Sequence, residues 1–447
     1  MLLRDTTLPD GRVRDLRVTD DRIDVVGDDL VAEDDEVVVD ASGLRAFPGA
    51  IDVHVHFREP GFTHKETWET GSRSAAAGGV TTVVDQPNTE PPTVTGESFD
   101  EKAARAADAL VDYGLNGGVT GSWEPDALFD RDLFALGEVF LADSTGDMGI
   151  EEDLFETAVE RAADADVPVT VHAEDATLFD DAAMDAAGTG TGRDADADAW
   201  SAYRRAEAEV AAIERAVEIG TDAGATIHVA HTSTPKGIDA AAQAGATCEV
   251  TPHHMFLSRD DLEELGTYGR MNPPLRSEDR RRAVLERVRD GTVDVVATDH
   301  APHTRSEKEA SIHDAPSGVP GVETMVPLLL AEAKTGLLSY QRVRDLTAAN
   351  PARIFGIDRK GRIAEGMTAD LVFVDIDRVE SIDADRLHSK CNWTPFEGHN
   401  GVFPVATLVR GQPAYADPSY DVPDPLVPED GEFGTVDGRN VRSIDGF

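Results

Sequence analysis

Short apolar runs at both ends of the chain alternate with polar turns, and between them lies a different texture. Over residues 1–49 the runs (Val13, Leu16, Val18; Ile23, Val25, Val26; Val37, Val38, Val39) are broken by Asp and Gly, which predicts small strands. The same texture returns near 362–415, in Ala369–Asp375 and Ala406–Gly411. Two strand-rich ends around a different middle suggest one discontinuous β module built from both termini. In the middle, β-branched runs alternate with Ala/Glu/Arg-rich helical stretches, the pattern of a parallel sheet covered by helices. Candidate strands end near His56, Asp85, Val119, Leu141, Val171, Ala230, Val250 and Ala297. Eight of them suit a closed (β/α)8 barrel better than an open doubly wound sheet, which would carry a Gly-rich phosphate loop after its first strand. None is found there. The expected organisation is therefore α/β: a TIM-like barrel over 50–356, a small β module from 1–49 and 357–416, and an acidic irregular tail over 417–447. The segment 181–199, low in complexity and nearly free of large apolar groups, reads as a solvated surface loop.

Charge narrows the partners. The 86 acidic residues outnumber 41 basic ones for a formal charge of -45, spread along the chain, which argues against nucleic acid. Lysine is scarce. An evenly acidic, lysine-poor surface fits a salt-rich cytoplasm, where a Debye length of ~3 Å at 1 M salt screens self-repulsion. No apolar run is long enough to span a bilayer and the N-terminus has no signal-peptide core, so a cytoplasmic protein without a membrane partner is expected. Only Cys248 and Cys391 are present, so any metal must be held by His and carboxylates.

Barrel enzymes carry reactive groups at the C-terminal ends of their strands. The first predicted strand ends in His54-Val55-His56; with side chains alternating faces, both imidazoles point into the barrel. Later strands close on His172, on His231 and on Asp299. Five such residues from four strands make a metal site of imidazoles and one carboxylate, which suits Zn²⁺. His228, three residues before His231, faces away from it. His253 and His254, after the seventh strand, read as supporting residues.

These residues belong to longer motifs, Asp52-Val53-His54-Val55-His56-Phe57-Arg58-Glu59-Pro60-Gly61 and Ala297-Thr298-Asp299-His300-Ala301-Pro302-His303, the second followed by Lys308. In them, and in Asp85-Gln86-Pro87-Asn88-Thr89, Met271–Arg276 and Asn350–Gly356, the sequence resembles the dihydroorotases, within the cyclic amidohydrolases that also include hydantoinases and allantoinases. The resemblance runs from about residue 43 to 412. It implies reversible closure of N-carbamoyl-L-aspartate to L-dihydroorotate in pyrimidine synthesis, on a (β/α)8 barrel with a β-sandwich from both chain ends. A carboxylate on a cyclic ureide calls for a guanidinium clamp, here Arg58, completed by Asn88 and His303. His56 would also face the substrate, and Asn272 with the backbone of Ser317 and Gly318 would address the ring amides. Asp299 would act as general base toward the nucleophile and pass the proton to the departing ring nitrogen. The expected cofactor is one or two zinc ions per chain, and the expected assembly a homo-oligomer; association with aspartate transcarbamoylase could coexist with activity. The rival readings are a hydantoinase or allantoinase, which has no use for Arg58 and His303, and an inactive scaffold for that transcarbamoylase.

One position departs from the pattern. Many relatives bridge two metals with a carboxylated Lys on the fourth strand, whereas here that position is Glu138, in Leu136–Gly146. Glu138 could replace the modified Lys; Asp143 is a second candidate, and a single metal with neither the third. The polar segment 304–318 is expected to close over substrate.

Overall fold

A computed structural model describes residues 1–143, 148–188, 190 and 192–443. Eight strands, Ala50–Val55, Val80–Asp85, Asp112–Leu115, Leu136–Phe140, Val169–His172, Ile227–Val229, Thr247–Val250 and Val295–Val296, form the barrel. The first three pair in parallel in one sheet and the last five in another. Two single bridges close the ring: Gly117 to Leu136 joins the third strand's end to the fourth, and Val55 to His300 joins first to eighth. We number the barrel strands first to eighth in this order. Almost every strand residue is buried, as expected of a parallel sheet covered by helices.

Three of the covering helices begin at a threonine that satisfies a free N–H group. Thr67 and Thr95 form capping boxes before Trp68–Ala77 and Gly96–Ala106, and Thr234 caps Pro235–Ala244, whose Pro sits at the first turn. The longest helix, Ala206–Ala223, buries Ala212, Ile213, Ala216 and Val217 at helical spacing and stops at Gly224, whose φ of 71° is left-handed. No helix of the described residues is long and apolar enough to cross a membrane.

Both chain ends contribute to one eight-stranded sheet. Its path runs from Gln412–Ala416 through Pro404–Val409, Leu371–Val374, Arg45–Pro48, Leu2–Thr7 and Val13–Thr19 to Arg22–Gly27, with Val38–Asp40 paired to the start of Leu2–Thr7. Leu3, Leu16, Ile23, Phe373 and Leu408 pack in its apolar cluster.

Two sequence expectations need correction. The third strand stops at Leu115 rather than near Val119, because after Asn116 two glycines let the chain turn away and Gly118 N bonds to Thr93 O at 2.8 Å. The segment 181–199 holds the helix Asp181–Ala186 and the start of Asp198–Tyr203, with Thr189 and Thr191 outside the described residues. Alanine-rich sequence favours helix, and Trp200 anchors the second one under Arg270, 3.7 Å from its ring. The tail is irregular but tied down: Tyr113 N donates to Arg439 O at 2.9 Å and Val441 N to Tyr113 O at 2.8 Å, beside the third strand. Residues 444–447 lie outside the described residues.

Candidate active site

The strand ends converge on one buried cluster. From the first strand, His54 and His56 are 2% and 5% exposed; His172, His231, Glu138 and Asp299 join them at 1–7%. Ligand atoms of His54, Glu138 and His231, and of His54, His56 and Asp299, lie within 4.8 Å of one another in each group. His54 belongs to both sets, and Glu138 reaches it as well as His172 and His231. Glu138 Oε1 is 2.5 Å from His231 Nε2 and 2.9 Å from His172 Nδ1, and its Oε2 is 3.3 Å from His54 Nε2. Asp299 Oδ1 lies 2.9 Å from His56 Nε2 and 3.6 Å from His54 Nε2. Asp143 is turned elsewhere: its Oδ1 accepts from Gly149 N at 2.7 Å, and Ser144, Thr145 and Gly146 lie outside the described residues.

Carboxylates behind the cluster fix the rings. His54 Nδ1 donates to Glu249 Oε1 at 2.6 Å, which aims Nε2 at Glu138 and Asp299, and His172 Nε2 donates to Glu174 Oε2 at 2.9 Å, itself gripped by Arg204. His56 Nδ1 donates to Asn88 Oδ1 at 2.7 Å, so Asn88 orients a ring as well as lining the cavity. His228 is held by Thr247 and Glu249, at 2.8 and 3.2 Å, behind the cluster. His254 donates to Pro273 O at 2.9 Å and stacks on His253, supporting the Asn272 segment.

Sequence reading missed Glu249, Glu174, Arg204 and Lys65. Glu174 had a signal: it follows His172 by two, the same spacing that paired His54 with His56. Glu249 is a lone acid inside an apolar strand, which its burial at 1% singles out only once the fold is known.

The electrostatics suit a cation. Burial works to raise the carboxyl of Glu138, but the imidazoles of His54, His231 and His172 outweigh it and hold it well below the ordinary range. Asp299 is lowered in the same way, burial being outweighed by His56 and His54. Against burial, Glu138 with Glu249 carries His54 well above its usual value, and Glu138 with Glu174 carries His172 to about 9. The side chains are thus short of positive charge, and among the described residues His54 Nε2 has no hydrogen-bond partner. Imidazoles and two carboxylates presenting free lone pairs to one point fit divalent ions.

Beside the cluster opens a cavity lined by His56, Arg58, Asn88, Asn272, Ser317 and Gly318, with Asp299 and Glu138 at its floor. Arg58 is 3% exposed, with φ of 63°. Burial lowers it to about 10, opposed by Asp299 and Asp85, so it stays a cation at neutral pH. Its Nη2 lies 3.3 Å from His303 Nε2, which donates to Ser317 O at 2.9 Å, while Lys65 Nζ reaches His303 Nδ1 at 3.0 Å. Burial and the charges of Arg58, Lys65 and Lys308 push His303 well below its usual value, so it is neutral. The segment 304–318 is fastened over this corner. Fully buried Lys308 donates to the carbonyls of Arg270, Pro316 and Gly318 at 2.9–3.0 Å, and Trp393 Nε1 donates to His303 O at 2.7 Å.

An amidohydrolase family model matches residues 45–413. A dihydroorotase of Halobacterium salinarum is 65% identical over 99% of both chains, and one of Methanosarcina acetivorans is 41% identical over 97% of this chain and 93% of its own. Among solved structures, an L-hydantoinase (dihydropyrimidinase) from Arthrobacter aurescens superposes with a TM-score of 0.89 at 27% identity, covering 98% of each chain.

Proposed function

The chain belongs to the amidohydrolase family and, within it, to the dihydroorotases, and from that premise we propose how its residues perform the interconversion of L-dihydroorotate and N-carbamoyl-L-aspartate. The likeness to hydantoinases reflects the shared barrel, and the acidic composition fits the halophilic host of the 65% identical relative.

The observation that carries the reading is the placement of Glu138, with one carboxylate oxygen toward His172 and His231 and the other toward His54. His54, His56 and Asp299 would hold one zinc ion and His172 and His231 a second, with the Glu138 carboxylate within reach of both sets. Ions held there would lower the pKa of a water molecule and polarise the ring carbonyl under attack. Asp299 takes the proton of the attacking water and delivers it to the departing ring nitrogen; in the synthetic direction it takes the proton of the carbamoyl nitrogen as that nitrogen attacks the carboxylate carbon, and returns it to the oxygen that leaves as water. Arg58 grips the substrate carboxylate, with neutral His303 and Asn88 beside it. Asn272 and the backbone of Ser317 and Gly318 meet the ring amides. The fastened 304–318 segment acts as a wall of this pocket. The enzyme works in the cytoplasm as a homo-oligomer able to associate with aspartate transcarbamoylase. The chain divides into a barrel over 50–356 and a β module from 1–49 and 357–416, followed by the tail.

The test is elemental analysis of the purified chain. Wild type should carry about two zinc ions and Glu138→Ala about one, following the rule that a bridging carboxylate serves both ions; two ions in both proteins would sink the bridge.

Trp200 should tune substrate affinity. Its Nε1 donates to Asn272 Oδ1 at 2.9 Å, which fixes how Asn272 presents its amide to the cavity. Trp200→Phe keeps an aromatic ring but removes the indole N–H, which also reaches Met271 O at 3.2 Å; losing the bond to Asn272 costs about 0.5–1.5 kcal/mol. KM for dihydroorotate should rise roughly 3–10-fold with kcat within about twofold; an unchanged KM would remove Trp200 from recognition.

A further inference from the structure

Glu138 reaches the cluster from an irregular piece of strand. In the pairing of the fourth strand with the fifth, Leu136 opposes Val169 and Val139 opposes Val171, so Gly137 and Glu138 together face the single residue Thr170. An extra residue on one side of a ladder is a β-bulge, which bends the strand and re-aims a side chain. Its effect here is a change of parity. Leu136 and Val139, three apart, both pack in the apolar cluster that holds Phe155 and Val159 of the covering helix, while Glu138 and Phe140 line the cavity. Under regular alternation Leu136 and Glu138 would share a face.

Two neighbours hold the bulge. Gly137 has φ of 136°, and a Cβ there would lie 2.2 Å from Thr170 O, so no other residue fits. Glu138 N donates to Gln86 Oε1 at 2.8 Å rather than to a neighbouring strand's carbonyl. Gln86, 1% exposed, also accepts from Asn116 Nδ2 at 3.0 Å and donates through Nε2 to Val53 O at 3.2 Å. Its own backbone oxygen accepts from buried Lys102. One amide side chain thus ties the first, third and fourth strands at the depth of the cluster.

We propose that Gln86 and the Gly137–Glu138 bulge are a positioning device that sets the reach of the Glu138 carboxylate toward two divalent ions. The inference rests on the reading of Glu138 as the bridge. A glutamate is a short side chain for that task, and the extra backbone residue brings its Cα to where a short side chain suffices. Gln86 touches neither ion nor substrate; it acts through the backbone of Glu138.

The experiment is a chelator titration of the zinc-loaded full chain, reading zinc retained per chain together with the melting temperature, for wild type, Gln86→Leu and Glu138→Ala. Gln86→Leu should keep its first ion as tightly as wild type and release its second at a chelator concentration at least tenfold lower. Retention of both ions as in wild type overturns the inference, as does equal weakening of both. Should Gln86→Leu fail to fold, Gln86→Met, which keeps the length and drops both polar atoms, is read by the same criteria. Two tightly held ions in Glu138→Ala would instead overturn the bridge itself, whatever Gln86 does.

Discussion

Asp299→Asn, at saturating zinc, should lower kcat in both directions by about 10²–10⁴-fold while KM stays within a few-fold, the range that a lost proton-transfer group covers. The asparagine keeps shape and one ligating oxygen, so the change isolates the proton. Asp299 suits the role by place and by charge. It lies beyond the eighth strand, with φ of 46°, and its Oδ1 faces His56 Nε2 at 2.9 Å. His56 and His54 overcome burial to keep it ionised, so it is ready to accept a proton at neutral pH. Steady-state assays on samples matched for zinc content check the expectation; a kcat within tenfold of wild type would move the proton transfer to another residue.

Asp112→Ala should destabilise the fold by about 3–5 kcal/mol, the cost of leaving buried charges without their partner. Asp112 is fully buried on the third strand; its Oδ2 accepts from Lys360 Nζ at 2.7 Å, and its Oδ1 accepts from Arg410 and from Arg439 N. Lys360 turns also to Asp370, whose Oδ1 takes Arg410 N at 2.8 Å. One barrel carboxylate therefore anchors the segment before Leu371–Val374, the hairpin turn at Arg410 and the C-terminal tail. Denaturant unfolding measures the change, and its response to salt is diagnostic. Exposed ion pairs fade at molar salt, where the screening length is about 3 Å, but this loss should persist because the pair is out of solvent. A change below about 1 kcal/mol would mean that the two cations find water when Asp112 goes.

What the sequence made legible followed from periodicity. The His54-x-His56 pair, and the apolar runs closing on His172, His231 and Asp299, announce a strand-end site because a barrel strand has only two faces and one active end. Arg58 was legible from its place two residues after the pair. Less visible was anything that depends on a break in periodicity. The bulge at Gly137 and Glu138 rests on one backbone contact with Thr170 that no pattern encodes. Trp200 sits at the end of a stretch that reads as featureless, yet it reaches Asn272 across 72 residues of chain. Glu249 looks like any strand acid until its two imidazole partners are placed around it. The end of the third strand was overrun because Val119 resumes an apolar pattern after the glycines have already redirected the chain.

The sheet assembled from both chain ends has a consequence for synthesis. Arg45–Pro48 pairs on one side with Leu371–Val374, residues made after the whole barrel sequence has been translated. At about 5–20 residues per second the earlier strand waits tens of seconds for its neighbour. During that time Ala46 and Phe47, both buried in the finished protein, sit on an open sheet edge that could pair with another nascent chain. The last stitch comes later still, when Arg439 and Val441 reach Tyr113. On this account crowding among neighbouring ribosomes becomes the hazard the fold must outrun.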